Sequence, residues 1–392
     1  MTAHFLIAGA GIGGLGAALA LAQIGKNFDV KVTVLEQSSV FGEVGAGVQI
    51  SPNAYKVLCA WGLADVLKQT ANYPEKLQVR SAASNKLLGQ LELGCKAISR
   101  YGFPFATLHR ADLHTLLLNA VRNQLNVDLH LNAKISGIVE SNQQVTVKTE
   151  SGGTFIADAL IGADGLRSRV RQHVLNDSKP NATGHTAWRA LLPIADVPSE
   201  LQSDQVTAWL APDSHTVTYP VQQGQSLNIV YCSENSDKNK LQPAYLLPKQ
   251  LSKSLQNVFQ IATKANAWTR WDLYDRPPMA SSAEMYNPAH PRVTLLGDAA
   301  HPMLPYLAQG AGMALEDAQV LAMSAHQNPN DLSAALQNYA QTRWQRNAKV
   351  QARAVRNGAI FHAKPPVSWA RDAAMGALGE KLLDSPWLYA GY

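Results

Sequence analysis

The pattern of apolar and polar positions at the start of the chain predicts a strand, a helix and a second strand. Residues 4–8 (HFLIA) form an uninterrupted apolar run, as expected of a buried parallel strand. The segment from about Leu15 to Ile24 is apolar enough for a buried helix. Residues 30–37 (VKVTVLEQ) then predict a second strand, which ends in Glu36. This order indicates a βαβ unit, so the expected fold class is α/β.

The periodicity changes further along the chain. From 183 to 283, segments such as TAWRALLPI, VTAWLA, HTVTYPV and SLNIVYC are rich in aromatic and β-branched residues and predict a β-sheet. RVTLLGDAA then restores a buried strand, and two long helical stretches follow, at about 312–326 and 331–359. We therefore predict a discontinuous first domain (1–182 and 284–330), an inserted sheet domain (183–283) and a helical C-terminal region (331–392).

Three glycines join the first strand to the first helix. Gly9, Gly11 and Gly14 have the spacing GxGxxG, which allows a tight turn, approach of a pyrophosphate to the backbone and close packing of helix on strand. The free N–H groups of the helix N-terminus suit phosphates. Glu36, about twenty residues further on, can accept hydrogen bonds from both hydroxyls of a ribose. The motif predicts a dinucleotide site, and by itself it leaves NAD and FAD open.

Composition narrows the class of protein. The 392 residues are 46% hydrophobic and 16% charged, which is ordinary for a globular enzyme. The 34 basic and 29 acidic residues leave a formal charge of +5 without a concentrated basic face, so we expect no nucleic-acid partner. The three cysteines lack disulfide or Cys/His spacing, and we predict no metal site and a reducing compartment. With no targeting segment or membrane span in the pattern, we expect a cytoplasmic protein without a stable membrane anchor.

Three separated motifs together resemble the FAD-dependent single-component aromatic hydroxylases, the group A flavoprotein monooxygenases of the para-hydroxybenzoate hydroxylase fold. They are the GxGxxG with Glu36, Asp164-Gly165 in GADGLRSRVR, and Gly297-Asp298 in LLGDAAHPMLP. Within the group, EVGAGVQISPNA, HTVTYPV and AQGAGMALEDA look most like the salicylate, 3-hydroxybenzoate and 6-hydroxynicotinate hydroxylase branch. The resemblance implies a Rossmann-like FAD-binding domain, an inserted β-sheet substrate domain and a helical C-terminal region.

The resemblance also implies a set of FAD-binding residues. Asp298 would accept a hydrogen bond from a ribityl hydroxyl, and the helix opening at residues 310–312 would direct its amides toward the pyrimidine ring of the flavin. Taken without the resemblance, Asp164 could be a turn residue and Arg110 a solvated helix start. The complete set is Gly9, Gly11, Gly14, Glu36, Gly47, Val48, Arg110, Asp164, Gly165, Gly297, Asp298, Gly310, Ala311 and Gly312.

The chemistry implied by the resemblance is carried by cofactors. NADH or NADPH reduces the flavin, O2 reacts with it, and the resulting C4a-hydroperoxide hydroxylates a phenolic aromatic acid. A deprotonated phenol reacts faster, and His215 and Tyr219 share one face of a predicted strand. His215 could equally be a structural histidine. Candidate catalytic residues are His215, Tyr219, Pro305, Tyr306 and Gln49. The 6-hydroxynicotinate enzymes favour histidine at the positions of Gln49 and Tyr306. This difference weakens the prediction of a pyridine substrate.

Other functions remain open at this point. The same chemistry could act on a larger heteroaromatic such as a quinolone, a phenazine or an antibiotic. The chain could also be a non-hydroxylating FAD-binding protein, or an NAD-binding dehydrogenase that shares the glycine fingerprint. The expected partner is a small aromatic substrate, and the expected state is a monomer or a homodimer.

Overall fold

The computed structural model describes residues 2–24, 29–42, 46–141, 143–177, 179–234 and 250–392. The strands β1 to β17 in chain order are Ala3–Ala8, Val30–Leu35, Gly47–Ile50, Lys76–Ser81, Leu87–Glu92, Ala106–His109, Val127–His130, Ile135–Glu140, Val145–Thr149, Thr154–Ala157, Ala159–Gly162, Asn181–Pro193, Gln205–Ala211, Ser214–Val221, Ser226–Ser233, Thr269–Asp275 and Val293–Leu295. The helices α1 to α12 are Ile12–Ile24, Pro52–Ala60, Ala64–Thr70, Cys95–Tyr101, Arg110–Arg122, Arg169–Leu175, Lys253–Lys264, Gly310–Gln327, Leu332–Phe361, Val367–Leu378, Glu380–Leu383 and Pro386–Tyr389.

A five-stranded parallel sheet in the order β17-β11-β1-β2-β7 forms the centre of the first domain. Its strands β1, β11 and β17 are nearly continuous apolar runs, as expected of strands that are buried on both faces. Phe5, Leu6 and Ile7 of β1 are fully buried, and the predicted βαβ unit is confirmed. The carboxyl ends of β1, β2, β11 and β17 lie at one edge, so the residues that follow each strand are brought together there.

A seven-stranded sheet in the order β16-β12-β15-β14-β13-β4-β5 lies over this edge. Its pairs are antiparallel except β13 with β4. Helix α7 packs on one face, where Leu255, Val258 and Phe259 contact a core that includes Trp188 and Trp209. The sheet takes β4 and β5 from the segment assigned above to the first domain, so it extends beyond residues 183–283. The division into domains stays a prediction.

The predicted helices near the C-terminus are present as α8 and α9, the latter running from Leu332 to Phe361. Two smaller sheets complete the fold, β10-β9-β8 and the pair β3-β6. Among the described helices, none has both the length and the apolarity that crossing a membrane requires.

A buried ion network fastens α8 to α9. The Arg343 guanidinium donates to Glu316 and to Asp317, each at 2.7 Å, and all three side chains are fully buried. Burial disfavours ionisation of Asp317, but the charges of His301 and Arg343 outweigh it and lower the pKa of that carboxyl below its usual range. Asp317 also accepts from the Gly297 amide, which attaches the loop after β17 to the same network.

Replacing Arg343 with methionine removes the cation that Glu316 and Asp317 share, while Glu316 stays paired with Arg346 and Asp317 with His301. We expect the free energy of unfolding to fall by about 3 kcal/mol, the lower end of the cost of removing one partner from a buried ion pair, because each carboxylate keeps one other partner. Urea unfolding followed by circular dichroism measures the change. Arg100→Met removes a half-exposed arginine that pairs with Glu380 and Asp384, and it should change stability little. Equal losses in both variants would contradict this assignment.

Candidate active site

A cavity of about 710 Å³ lies where the strands of the parallel sheet end. It runs from the glycine turn after β1 to the inner face of the seven-stranded sheet. The structure brings most of the predicted site residues to its wall: Gly9, Gly11, Glu36, Gly47, Val48, Gln49, Arg110, Asp164, Gly165, His215, Tyr219, Gly297, Asp298, Pro305, Gly310 and Ala311. Gly14, Gly312 and Tyr306 do not line this cavity. The individual roles of all of these residues stay predictions.

The turn after β1 requires glycine at two positions. Gly9 has a φ of +96°, and a Cβ there would lie 2.6 Å from the carbonyl oxygen of Ala163. A Cβ on Gly14 would lie only 1.9 Å from the carbonyl oxygen of Gly9. Gly14 therefore lets α1 pack against the strand, as its place in the motif predicts, although it does not reach the cavity.

Glu36 and Arg110 both line the cavity. The Glu36 carboxylate accepts from the amides of Ala10 and Ser38, at 2.9 and 2.8 Å, and so fixes the glycine turn while it lines the cavity. Arg110 is the first residue of α5 and lines the same cavity. Its backbone amide donates to the carbonyl of Ala46. A carboxylate and a guanidinium in this order suit a ribose and phosphates.

Asp164 lies beside the cavity and also caps α6. Its carboxylate accepts from the Ser168 hydroxyl and from the amides of Arg169 and Val170. Desolvation raises the pKa of this carboxyl, in spite of these hydrogen bonds. Asp164 therefore does stabilise a turn, as one of the two interpretations of the sequence predicted. Arg171 of the same helix donates to the carbonyls of Ala299 and Ala300, which joins the turn after β11 to the turn after β17.

Asp298 and the first turn of α8 form another part of the cavity wall. Asp298 is exposed on the cavity wall, and Gly310 and Ala311 lie close by. The first turn of this 18-residue helix contains no acidic residue, so its positive end faces the cavity uncompensated by its own side chains. Gly312 packs instead against Gln309 and Ala54, where a Cβ would lie 3.1 and 3.4 Å from its neighbours.

The donor set fits FAD. The cavity wall carries a glycine turn, the carboxylates of Glu36 and Asp298 and the N-terminus of a long helix, and positions 9 and 14 lack room for a Cβ. The Gly9 turn and Arg110 would hold the pyrophosphate, Glu36 the ribose, Asp298 the ribityl chain and the α8 amides the pyrimidine ring.

A second cavity of about 480 Å³ continues from the first beneath α9 and α10. Its wall is mainly apolar and includes Leu77, Val79 and Phe105. Tyr306 lines this cavity rather than the first one. The two cavities share Gln49, His215, Val217, Pro305, Ala308 and Gln309, so three of the predicted catalytic residues stand at the junction.

His215 begins a chain of hydrogen bonds that leads out of the site. Its Nδ1 lies 2.7 Å from Nε2 of His362, whose Nδ1 lies 2.9 Å from the partly exposed carboxylate of Glu234. A carboxylate only accepts, so with both rings neutral His362 donates through Nδ1 and accepts from His215. That assignment leaves Nε2 of His215 as a free acceptor, without a hydrogen-bond partner in the part of the chain that the structure describes.

The surroundings keep His215 neutral. Burial, followed by the neighbouring His362 and His185, lowers its pKa well below the ordinary value. Strand alternation predicted that His215 and Tyr219 share a face, and both do line the first cavity. His362 and Glu234 were missed, because nothing in the local pattern marks a histidine at the end of α9 or a glutamate after β15.

The two tyrosines are held by different contacts. The Tyr306 hydroxyl lies 2.6 Å from Nδ1 of His185. The Tyr306 ring packs against Gly358 of α9, where a Cβ would lie 2.6 Å from the ring. The Tyr219 ring packs against Gly47, where a Cβ would lie 2.4 Å from it. Burial raises the pKa of both phenols, so neither is an anion at neutral pH.

Comparison with known proteins places these features in a family. A family model described as an FAD binding domain matches residues 2–354. The chain is 37% identical to 3-hydroxybenzoate 6-hydroxylase 1 of Aquipseudomonas alcaligenes, with 96% of this chain and 94% of that protein covered. It is 30% identical to 6-hydroxynicotinate 3-monooxygenase of Bordetella bronchiseptica, with 88% of each covered.

Two solved structures share the fold of this chain. Klebsiella pneumoniae HpxO complexed with FAD and uric acid superposes with a TM-score of 0.84 at 25% identity, over 99% of this chain and 96% of that one. A salicylate hydroxylase substrate complex superposes with a TM-score of 0.76 at 25% identity, over 99% and 95%.

Gly14→Ala tests the glycine turn. Its Cβ would overlap the carbonyl oxygen of Gly9, so we expect the purified variant to lose most of its bound FAD, measured as the flavin-to-protein absorbance ratio. The control is Gly42→Ala, where a Cβ meets nothing within 4 Å, and FAD content should stay at the wild-type level. Full FAD retention by Gly14→Ala would show that the turn tolerates displacement of α1.

Proposed function

The chain belongs to the FAD-binding-domain family and is a flavin-dependent monooxygenase; from this premise we propose that it hydroxylates 3-hydroxybenzoate or a closely related phenolic acid. The co-substrates are NADH or NADPH and O2. FAD, when bound, supplies the transfer of electrons from the nicotinamide and the activation of oxygen. The protein residues bind, orient and deprotonate the aromatic substrate.

The observation that carries this proposal is the free acceptor nitrogen of His215 at the junction of the two cavities. A phenol placed there can donate its proton to Nε2, and the ring becomes more electron-rich as the phenolate forms. The proton of Nδ1 then moves to Nε2 of His362, and that of His362 moves to the Glu234 carboxylate. Each imidazole takes one proton at Nε2 and gives one from Nδ1, so the chain connects the buried phenol to a partly exposed carboxylate.

The second cavity supplies an apolar wall and a cation for an aromatic acid. Nε of Arg353 is buried and has no hydrogen-bond partner among the described residues, although the residue lines the cavity. A buried guanidinium nitrogen without an acceptor is costly, and a substrate carboxylate would satisfy it. We assign the carboxylate of the substrate to this arginine.

A second candidate substrate class is a larger heteroaromatic. The apolar cavity of about 480 Å³ is in the range that accommodates drug-sized ligands, and HpxO, of the same fold, is described with uric acid. The chemistry and the roles of the residues would be the same.

We further propose a cytoplasmic enzyme, monomeric or homodimeric. Cys59, Cys95 and Cys232 are free thiols, which suits a reducing compartment that also supplies reduced nicotinamide.

The substrate class is tested by NADH and NADPH consumption with FAD-loaded protein. The panel comprises 3-hydroxybenzoate, salicylate, 4-hydroxybenzoate, 6-hydroxynicotinate and a hydroxyquinolone, with product and hydrogen peroxide measured together. We expect 3-hydroxybenzoate to give the fastest consumption, with one hydroxylated product per nicotinamide oxidised. Coupled turnover of the quinolone alone would replace the proposed substrate with the larger class.

His215→Gln should lower kcat of hydroxylation by about 10²- to 10⁴-fold, the usual contribution of a general base. FAD content and the spectral change on substrate binding should stay close to wild type. Because the pKa of His215 is lowered, wild-type kcat should decline only at a pH below the ordinary imidazole range. His130→Gln, which removes an exposed imidazole of β7, serves as control. A variant with wild-type kcat would exclude His215 as the base.

Arg353→Met tests the carboxylate assignment. We expect KM for 3-hydroxybenzoate to rise roughly 10- to 100-fold, as for loss of a hydrogen bond to a charged group. KM for 3-hydroxybenzyl alcohol, which lacks the carboxylate, should change little. Arg356→Met removes an exposed arginine of the same helix that also borders the cavity, and it should have a smaller effect. Equal increases for both substrates would indicate a packing role.

A further inference from the structure

Outside the two cavities, Glu140, His173 and His290 form a compact cluster. Glu140 is the last residue of β8, His173 lies in α6 and His290 precedes β17. Nε2 of His173 and Nδ1 of His290 lie 2.8 and 2.7 Å from the same oxygen, Oε1 of Glu140. The ligand atoms of the three residues are all within 4.8 Å of one another. Three distant segments therefore direct one carboxylate and two imidazole nitrogens at a common point.

The other oxygen of Glu140 is buried and has no hydrogen-bond partner in the part of the chain that the structure describes. Leaving a buried carboxylate oxygen without a partner costs free energy, which coordination to a cation would recover. The two imidazoles retain about a quarter of their exposure, 26% and 27%, so an ion can enter and keep a water ligand.

The cluster is held in place by contacts that do not involve its own side chains. The amide of His290 donates to the carbonyl of Asn287, and the Asn287 side chain donates to the carbonyl of Val174, next to His173. The loop that carries His290 is thereby attached to the end of α6. Two of the three ligands keep their relative positions before an ion arrives.

We propose that Glu140, His173 and His290 form a binding site for a divalent transition-metal ion of the Zn²⁺ class. Two imidazoles with a carboxylate suit Zn²⁺, Cu²⁺ or Ni²⁺, whereas Mg²⁺ and Ca²⁺ prefer oxygen ligands alone. Ligands about 2.0–2.2 Å from a tetrahedral ion stand roughly 3.4 Å apart, so small side-chain rotations suffice. Bound metal would link β8, α6 and the segment before β17. The proposed metal site lies outside the two cavities in which we place the hydroxylation.

The experiment uses the FAD-loaded, chelator-treated full chain. Equilibrium dialysis against ZnCl2 with elemental analysis should give one Zn²⁺ per chain, and Zn²⁺ should raise the thermal unfolding midpoint. MgCl2 should do neither. In each of the variants Glu140→Gln, His173→Gln and His290→Gln we expect Zn²⁺ affinity to fall at least tenfold. His130→Gln, an imidazole outside the cluster, should bind as wild type.

A second measurement keeps the test valid if a variant unfolds. The electron paramagnetic resonance spectrum of wild-type protein with one equivalent of Cu²⁺ should show splitting from two imidazole nitrogens. Absence of stoichiometric uptake, unchanged affinity in all three variants, or no nitrogen splitting would overturn the proposal and leave a hydrogen-bonded cluster alone. Hydroxylase activity does not enter these readouts, so failure here is distinct from failure of the proposed substrate.

Discussion

The buried pairing of Arg343 with Glu316 and Asp317 is the constraint on which the site geometry depends. Charges taken out of water are tolerated only when every one is paired, so the two carboxylates of α8 and the guanidinium of α9 fix each other's positions. Asp317 in turn holds the Gly297 amide, and Glu316 accepts from Asn53 of α2. The direction of the α8 N-terminus and the turn that carries Asp298 follow from these bonds.

The sheet places the remaining groups around that fixed helix. Parallel strands end at one edge, so Gly9, Asp164 and Asp298, which are far apart in the chain, meet along one cavity. The seven-stranded sheet then closes the open side with the face of β14 that carries His215. The groups that would bind the dinucleotide are therefore positioned by backbone topology, whereas the proposed proton transfer uses side chains of the covering sheet and α9.

The sequence predicted the parts of this arrangement that depend on local pattern. The βαβ unit, the acids after buried strands and the helices α8 and α9 each have a signature within a short window. The position of Tyr306 in the second cavity and the entry of β4 and β5 into the large sheet have none, because both depend on packing between distant segments. The network of Arg343 was missed for another reason: charged residues in a helical stretch normally indicate a solvated face.

Two buried histidines illustrate how surroundings decide chemistry that the residue type leaves open. His301 lies against the Asp317 carboxylate, and its charge helps to lower the pKa of that acid. His215, almost equally buried, contacts His362 and the ring of Tyr306, and among the described residues it is linked to a carboxylate through His362 alone. The first histidine therefore belongs to the ion network that holds the loop, and the second stays neutral with one nitrogen available. The surroundings therefore separate the two roles, since an imidazole nitrogen that is engaged by a carboxylate is not available to a phenol.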